Sequence, residues 1–125
     1  MILLTIEATT TTPKIICDAD KGLIFIAGDS YPENSFEFFK ELLTWVEDYL
    51  STLTTPLTLD LRLIYLNTSS VKIMMDIFDM LEEAYGKGRK VSVNWFYDSR
   101  NERVVELAEE FKEDCTFPFS ITAAN

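Results

Sequence analysis

The clearest pattern in this chain is a change of hydrophobic period near its middle. Apolar and polar residues alternate over residues 57–63, and residues 64–66 are all apolar, which is typical of a β-strand. After Leu66 the apolar residues take a helical spacing, at Val71, Met74, Phe78, Leu81 and Tyr85. The pattern predicts a strand over 57–66 and a helix from about Ser70 to Tyr85, with one amide and three hydroxyls at the junction.

The same periodicities predict the other elements. Further strands are expected over 14–18, 23–28, 90–97 and 117–122, and further helices over 35–53 and 102–114. Strands separated by helices need crossover connections, which favours parallel pairing in the middle of the sheet. The alternation within the strands indicates helices mainly on one face. We therefore expect one α/β domain over 1–125 with a mixed central sheet of about five strands, preceded by an extended or frayed arm over 1–12.

The first predicted helix is more apolar than one buried face requires. One stripe consists of Phe36, Phe39, Leu43, Val46, Leu50 and Leu53. A second stripe lies beside it, at Phe38, Leu42, Trp45 and Tyr49. One interpretation is that the helix is broadly buried, and the other is that part of the second stripe is a docking surface.

Composition and charge favour a globular protein over a membrane, secreted or nucleic-acid-binding one. Hydrophobic residues make up 47% of the 125 residues, which is enough for a real core. No apolar run approaches the roughly 18 residues of a membrane span, and the N-terminus lacks the basic region of a signal peptide. The net charge of -10 disfavours binding to nucleic acid or to anionic lipid. Cys17 and Cys115 are expected to be buried free thiols in a cytoplasmic protein.

The residues needed for most enzyme classes are missing. The chain has no histidine, which removes the commonest general base and metal ligand. Four glycines are too few for a phosphate-binding loop, so no cofactor is expected, and the lack of histidine argues against a metal. Asp18, Asp20 and Asp29 make a weak candidate for a magnesium site. Two alternatives stay open: a small acid/base enzyme that uses Asp and Glu pairs, and a module that binds a small molecule.

The junction at residues 67–70 is the main candidate site. A helix cap needs one Asn, Ser or Thr, whereas Asn67 is followed by Thr68, Ser69 and Ser70. The free N–H groups and the dipole at a helix N-terminus favour an anion, so a phosphate is tolerated there. The junction therefore indicates a phosphorylation switch. If the fold is as predicted, the turn-rich segment 28–35 lies at the same sheet edge and completes a recognition rim.

Three segments give the chain a resemblance to a known family. They are Ser-Tyr-Pro-Glu-Asn at 30–34, Tyr-Leu-Asn-Thr-Ser-Ser at 65–70 and Val-Asn-Trp-Phe-Tyr-Asp at 93–98. In order and spacing the chain resembles the SiaC family of bacterial regulatory phosphoproteins over roughly residues 10–120. The resemblance implies a STAS-like fold, similar to anti-sigma-factor antagonists, in which a hydroxyl after a central strand is phosphorylated.

The resemblance also implies a function by partner switching. It places the phosphoacceptor at Thr68, with Ser69 as the alternative. A dedicated protein kinase would add the phosphate and a PP2C-type phosphatase would remove it. The unmodified, non-enzymatic protein would bind and activate a diguanylate cyclase, and so regulate cyclic-di-GMP and biofilm formation. The residues expected to bind the partner are Tyr31, Glu33, Asn34, Asn67, Ser69, Ser70 and Lys72.

Overall fold

The fold is a six-stranded sheet with three helices, in a computed structural model that describes residues 1–124. Its elements, in chain order, are β1 (Leu4–Ile6), β2 (Lys14–Asp18), β3 (Leu23–Ser30), α1 (Ser35–Thr52), β4 (Leu57–Leu66), α2 (Thr68–Gly86), β5 (Val91–Tyr97), α3 (Glu102–Glu113) and β6 (Phe119–Ala123). The predicted fold class is confirmed, including the alternation of strands and helices after β3.

The strands lie side by side in their order along the chain. β1 to β3 pair antiparallel, and β3 to β6 pair parallel. The sheet has one strand beyond the five recognised from sequence, because residues 4–6 of the predicted arm pair with β2 as β1. β1 is only 3 residues long, which is too short for a period of two to be recognised.

The hairpin between β2 and β3 forms as predicted. Asp18 Oδ1 accepts from the backbone N–H of Asp20 and of Lys21, at 3.0 and 3.3 Å. Gly22 ends the turn with a φ of 60°, in the left-handed region that glycine tolerates best. The turn sets the antiparallel register in which Cys17 faces Ile24.

The core lies between one face of the sheet and the helices. Alternate residues of β2 to β5 are buried, among them Ile15, Ile26, Leu61 and Trp95. Three parallel crossovers of the same hand place three helices on the same face of a sheet. The opposite face is therefore open, and its side chains are partly or fully exposed. This arrangement sends the three helix N-termini to one edge of the sheet.

The second apolar stripe of α1 is largely buried, whereas one residue of the first stripe is exposed. Leu42, Trp45 and Tyr49 are at most 6% exposed, so the second stripe belongs to the core and is not a docking surface. The interpretation of broad burial is confirmed for this stripe. Phe36 from the first stripe is instead 62% exposed, because it lies on the first turn of α1, at the rim of the sheet.

Neither cysteine is disulfide-bonded, and their burial differs. Cys17 is fully buried, and burial raises the pKa of its thiol to about 12. Cys115 is only half-buried, which corrects the expectation of full burial, and partial burial raises its pKa to about 11. Both thiols are protonated at neutral pH and are poor nucleophiles. Within residues 1–124, no helix is long and apolar enough to cross a bilayer.

Candidate functional site

The predicted rim lies where β3 and β4 end and α1 and α2 begin. Because β3 and β4 are parallel, their carboxyl ends meet at the same edge of the sheet. Ser30, the last residue of β3, pairs with Leu66, the last residue of β4. The segments that follow, 31–34 and residue 67, therefore lie side by side, and the structure confirms their predicted proximity.

Asn67 closes this edge by capping α2. Its side-chain Oδ1 accepts from the backbone N–H of Ser70 at 2.9 Å. Its Nδ2 donates to the carbonyl oxygen of Pro32 at 3.4 Å, which ties the α1 loop to the α2 cap. With Asn67 as the cap, α2 begins at Thr68, two residues before the start that the apolar spacing predicted.

Four serines form a hydrogen-bonded cluster beneath the rim. The Ser30 and Ser70 hydroxyls are 2.7 Å apart, and Ser70 Oγ also donates to the Ser30 carbonyl at 3.1 Å. The Ser35 and Ser69 hydroxyls are 2.6 Å apart. Ser30 and Ser70 are fully buried and Ser35 nearly so. The cluster therefore joins the end of β3, the start of α1 and the start of α2, and Ser70 does not face solvent.

Thr68 differs from its hydroxyl neighbours. It is exposed, and no hydrogen bond joins its hydroxyl to any side chain or backbone group of residues 1–124. Ser69 is also exposed, but its hydroxyl donates to Asn67 Oδ1 at 3.2 Å and contacts Ser35. Thr68 is the first residue of α2, where the helix dipole favours negative charge. Of the three consecutive hydroxyls, that of Thr68 is the one that is exposed and has no hydrogen bond to residues 1–124.

A β-bulge at Ile64 turns an aromatic side chain towards solvent. The β3–β4 register passes from Gly28 facing Leu63 to Asp29 facing Tyr65, so Ile64 has no partner on β3. Gly28 has a φ of 112°, which other residues rarely adopt. The extra residue reverses the alternation, leaving Tyr65 49% exposed and Leu66 buried.

Four exposed apolar side chains lie at the ends of β3 and β4 or on the first turn of α1, at the edge that carries Thr68. Tyr31, Phe36, Ile64 and Tyr65 are between 42% and 62% exposed. The Tyr31 and Tyr65 rings pack edge to face, with centroids 5.8 Å apart. Phe36 and Thr68 line one open groove. We call these four side chains together with Thr68 the corner surface.

Sequence reasoning named only Tyr31 and Thr68 of the corner surface. Phe36 was placed in a core stripe, and Ile64 and Tyr65 were placed in a strand. The run of four apolar residues over 63–66 is the signal for the last two, because strict alternation can bury only half of such a run.

The remaining predicted residues lie around the corner surface. Asn34 caps α1 by accepting from the N–H of Glu37 at 3.1 Å, and Glu33 is exposed beside it. Lys72 lies one turn into α2 and forms an exposed ion pair with Asp76 at 3.3 Å. The structure thus brings all the predicted rim residues to one edge, although Asn34, Asn67 and Ser70 have structural hydrogen bonds of their own.

The described part of the chain contains no cluster of potential metal ligands. Among residues 1–124, no group of three or more His, Cys, Asp or Glu side chains is close enough to hold an ion. Asp18 ends β2 and Asp20 lies in the turn that leads into β3, whereas Asp29 lies near the far end of β3. The three carboxylates of the candidate magnesium site are therefore not brought together.

Known proteins are similar to this chain in both sequence and fold. A family model described as SiaC family regulatory phosphoprotein matches residues 6–124. An uncharacterised protein of Pseudomonas aeruginosa strain UCBPP-PA14 is 59% identical over 118 residues, which cover 94% of each chain.

Two solved structures from Pseudomonas aeruginosa are also similar. The crystal structure of apo-SiaC is 57% identical, with a TM-score of 0.95 over 98% of this chain and 100% of that chain. The matched chain in the structure of the diguanylate cyclase SiaD in complex with its activator SiaC is 59% identical. Its TM-score is 0.94, over 97% of this chain and 99% of that chain. With the family model spanning nearly the whole sequence, the chain belongs to the SiaC family of regulatory phosphoproteins.

Proposed function

We propose that this protein is a non-enzymatic partner-switching regulator of a diguanylate cyclase in the bacterial cytoplasm. The unmodified protein binds and activates the cyclase through the corner surface. A protein kinase phosphorylates Thr68 and so releases the cyclase, and a PP2C-type phosphatase restores binding. Glu33, Ser69 and Lys72 contribute polar contacts at the rim, while Asn34, Asn67 and Ser70 hold it in shape.

The observation that carries this proposal is the state of the Thr68 hydroxyl. It is exposed, has no hydrogen-bond partner among the described residues, and lines one groove with the exposed side chain of Phe36. A kinase can reach this hydroxyl without breaking an internal contact. A partner that fills the groove beside Phe36 would at the same time cover Thr68.

The charge of a phosphate accounts for switching. A phosphothreonine carries about -1.5 to -2 charges near neutral pH. In the free protein the α2 N-terminus and Lys72 can stabilise these charges, so the fold persists. Beneath an apolar partner the same charges lose their water without gaining a full set of partners. Complete switching requires a differential affinity of roughly 5.5 kcal/mol, and an unpaired buried dianion can supply much of it.

The proposal can be tested by calorimetric titration of SiaD from Pseudomonas aeruginosa. The proteins to compare are the wild type, Thr68→Ala, Thr68→Asp and Thr54→Asp. Thr68→Asp should weaken binding at least about tenfold, which is ~1.4 kcal/mol. Lys72 partly offsets one added charge, so Thr68→Asp should act less strongly than phosphate. Thr68→Ala should bind like the wild type.

Thr54→Asp is the matched control for charge. Thr54 is exposed beyond the far end of α1, a helix of 18 residues and thus about 27 Å long. The control adds the same charge to the molecule away from the rim, and its affinity should equal that of the wild type. Equal affinities for wild type and Thr68→Asp, with circular dichroism showing both folded, would contradict the proposal.

A further inference from the structure

A threonine-rich turn precedes β2 and lies close to the corner surface. Thr9 Oγ1 accepts from the backbone N–H of Thr11 at 3.2 Å and of Thr12 at 3.0 Å. The hydroxyls of Thr9 and Thr12 are 2.6 Å apart, and the Thr9 N–H donates to the Thr12 carbonyl at 3.0 Å. One side-chain oxygen, that of Thr9, therefore organises residues 9–12, which we call the threonine turn.

The threonine turn hydrogen-bonds to the chain just after β3, beyond the point where β2 pairing ends. β2 begins at Lys14, opposite Ala27, so β3 has no β2 partner from residue 28 onwards. The Thr11 carbonyl lies beyond this point and accepts from the backbone N–H of Tyr31 at 2.8 Å. The turn thus supplies an acceptor that the sheet itself does not provide.

This hydrogen bond fixes the backbone of a residue of the corner surface. Tyr31 follows Ser30, whose carbonyl accepts from the N–H of Asn67 at 2.9 Å. Tyr31 is therefore held from the α2 side through Ser30 and from the arm side through Thr11. Its ring packs edge to face on Tyr65, which lies three residues before Thr68.

We infer that Thr9 is a positioning residue for cyclase binding, acting through Thr11 and Tyr31. The inference rests on the proposed function, and it gives the threonine turn a part in positioning the corner surface. Thr9 does not have to touch the cyclase. Its hydroxyl keeps the turn in the shape that presents the Thr11 carbonyl to Tyr31, and so keeps the Tyr31 ring on Tyr65.

The chain offers matched variants for a test by calorimetric titration of SiaD. Thr9→Val keeps the shape of the side chain but removes the acceptor, and Thr9→Ser keeps the acceptor. Thr10→Val makes the same change at an exposed neighbour whose hydroxyl bonds to none of residues 1–124. Loss of one or two hydrogen bonds that order a contact residue corresponds to a roughly three- to tenfold loss of affinity. Thr9→Val should show that loss, and the other two variants should bind within about twofold of the wild type.

A double-mutant cycle with Tyr31→Ala separates positioning from a general effect on the fold. If Thr9 acts through Tyr31, Thr9→Val should cause no further loss in the Tyr31→Ala protein. Additive losses, or unchanged binding by Thr9→Val while the wild type binds SiaD, would overturn this inference alone. Failure of the wild type to bind SiaD would overturn the proposed function and this inference with it.

Discussion

Three consecutive hydroxyl residues at the start of α2 have three different environments. Ser70 is buried and bonded to Ser30, Ser69 is exposed but bonded to Ser35 and Asn67, and Thr68 is exposed and unbonded within the described chain. Asn67 has already capped the helix, so the Thr68 side chain is not needed for the fold. A side chain that makes no stabilising hydrogen bond can be modified without unfolding the site.

This division predicts that two neighbouring alanine substitutions differ in their effect on the free energy of unfolding. Asn67→Ala removes the cap of α2 and the bond to Pro32, and should lower the free energy of unfolding by about 1–2 kcal/mol. Thr68→Ala breaks no hydrogen bond, so its effect should be within about 0.5 kcal/mol. Urea denaturation of the three proteins measures both changes. A larger loss for Thr68→Ala than for Asn67→Ala would contradict the assignment of the cap.

At the level of elements, α1 depends on a residue from outside the helix. It has no basic residue in its last turn, yet Arg89 Nη1 donates to the carbonyl of Leu50 at 2.6 Å, and Nη2 to that of Thr55 at 3.4 Å. Arg89→Met should therefore lower the free energy of unfolding by about 1–3 kcal/mol, because it leaves these carbonyls without their charged donor.

A lysine in the same loop provides the control for Arg89. Lys87 forms an ion pair with Glu83 at 3.2 Å, and both side chains are more than 70% exposed. Lys87→Met should change the free energy of unfolding by less than about 1 kcal/mol. Thermal and urea denaturation of both variants compare the two losses of charge. Equal destabilisation would show that Arg89 acts only through net charge and does not cap α1.

A carboxylate joins α2 to the segment before β6 and should make stability depend on pH. Glu82 accepts from the Thr116 hydroxyl at 2.5 Å and from the Thr116 N–H at 2.8 Å. These two hydrogen bonds, the hydroxyl's first, hold the pKa of Glu82 below its ordinary value of 4.5. Because the folded-state pKa is the lower one, the contribution is complete above pH 4.5 and is lost as the pH falls through the folded pKa.

Urea denaturation between pH 6 and pH 3 tests this linkage. The wild type should lose stability below about pH 4.5, and Glu82→Gln should lose less over the same interval. Thr116→Val removes one donor but keeps the backbone N–H, so its slope should lie between the two. A Glu82→Gln protein that loses stability as steeply as the wild type would show that this contact carries no pH dependence.

Periodicity predicted the elements better than their ends. The strand over 57–66 and the helix over 35–53 match β4 and α1 because each has a long, regular apolar pattern. The start of α2 was predicted two residues late, since its polar first turn carries no apolar spacing. The interruption of β4 at Ile64 was not foreseen, because a bulge depends on the partner strand and on the glycine opposite.

On the scale of the whole molecule, most of the large exposed hydrophobic side chains lie in two places, the corner surface and residues 1–3. The open sheet face is largely polar, with hydrogen bonds between Asn94 and Ser120 at 2.8 Å and between Thr58 and Ser92 at 3.3 Å. Four of the large exposed hydrophobic side chains lie instead in the corner surface. Of these two places, the corner surface is the one that includes Thr68, so apolar contact with a partner there would bring that partner to Thr68.

The sequence predicts where the candidate site lies, but it does not predict which of its hydroxyls are hydrogen-bonded. Hydroxyls after a strand and before a helix placed Thr68 at a helix N-terminus, as found. Which hydroxyl is free could not be predicted, because the bonds of Ser69 and Ser70 go to Ser35 and Ser30, more than 30 residues away. Long-range contacts of this kind appear only when the strands are paired.

Switching by phosphorylation of Thr68 is tested most directly by the rate at which SiaD forms cyclic-di-GMP in the presence of three forms of this protein. They are the unmodified protein, the protein carrying phosphothreonine at position 68, and the Thr68→Ala protein, with intact mass confirming each state. If phosphorylation of Thr68 releases the cyclase, the unmodified and Thr68→Ala forms should stimulate SiaD and the phosphorylated form should stimulate it little or not at all. Stimulation by the phosphorylated form equal to that by the unmodified protein would contradict this switching.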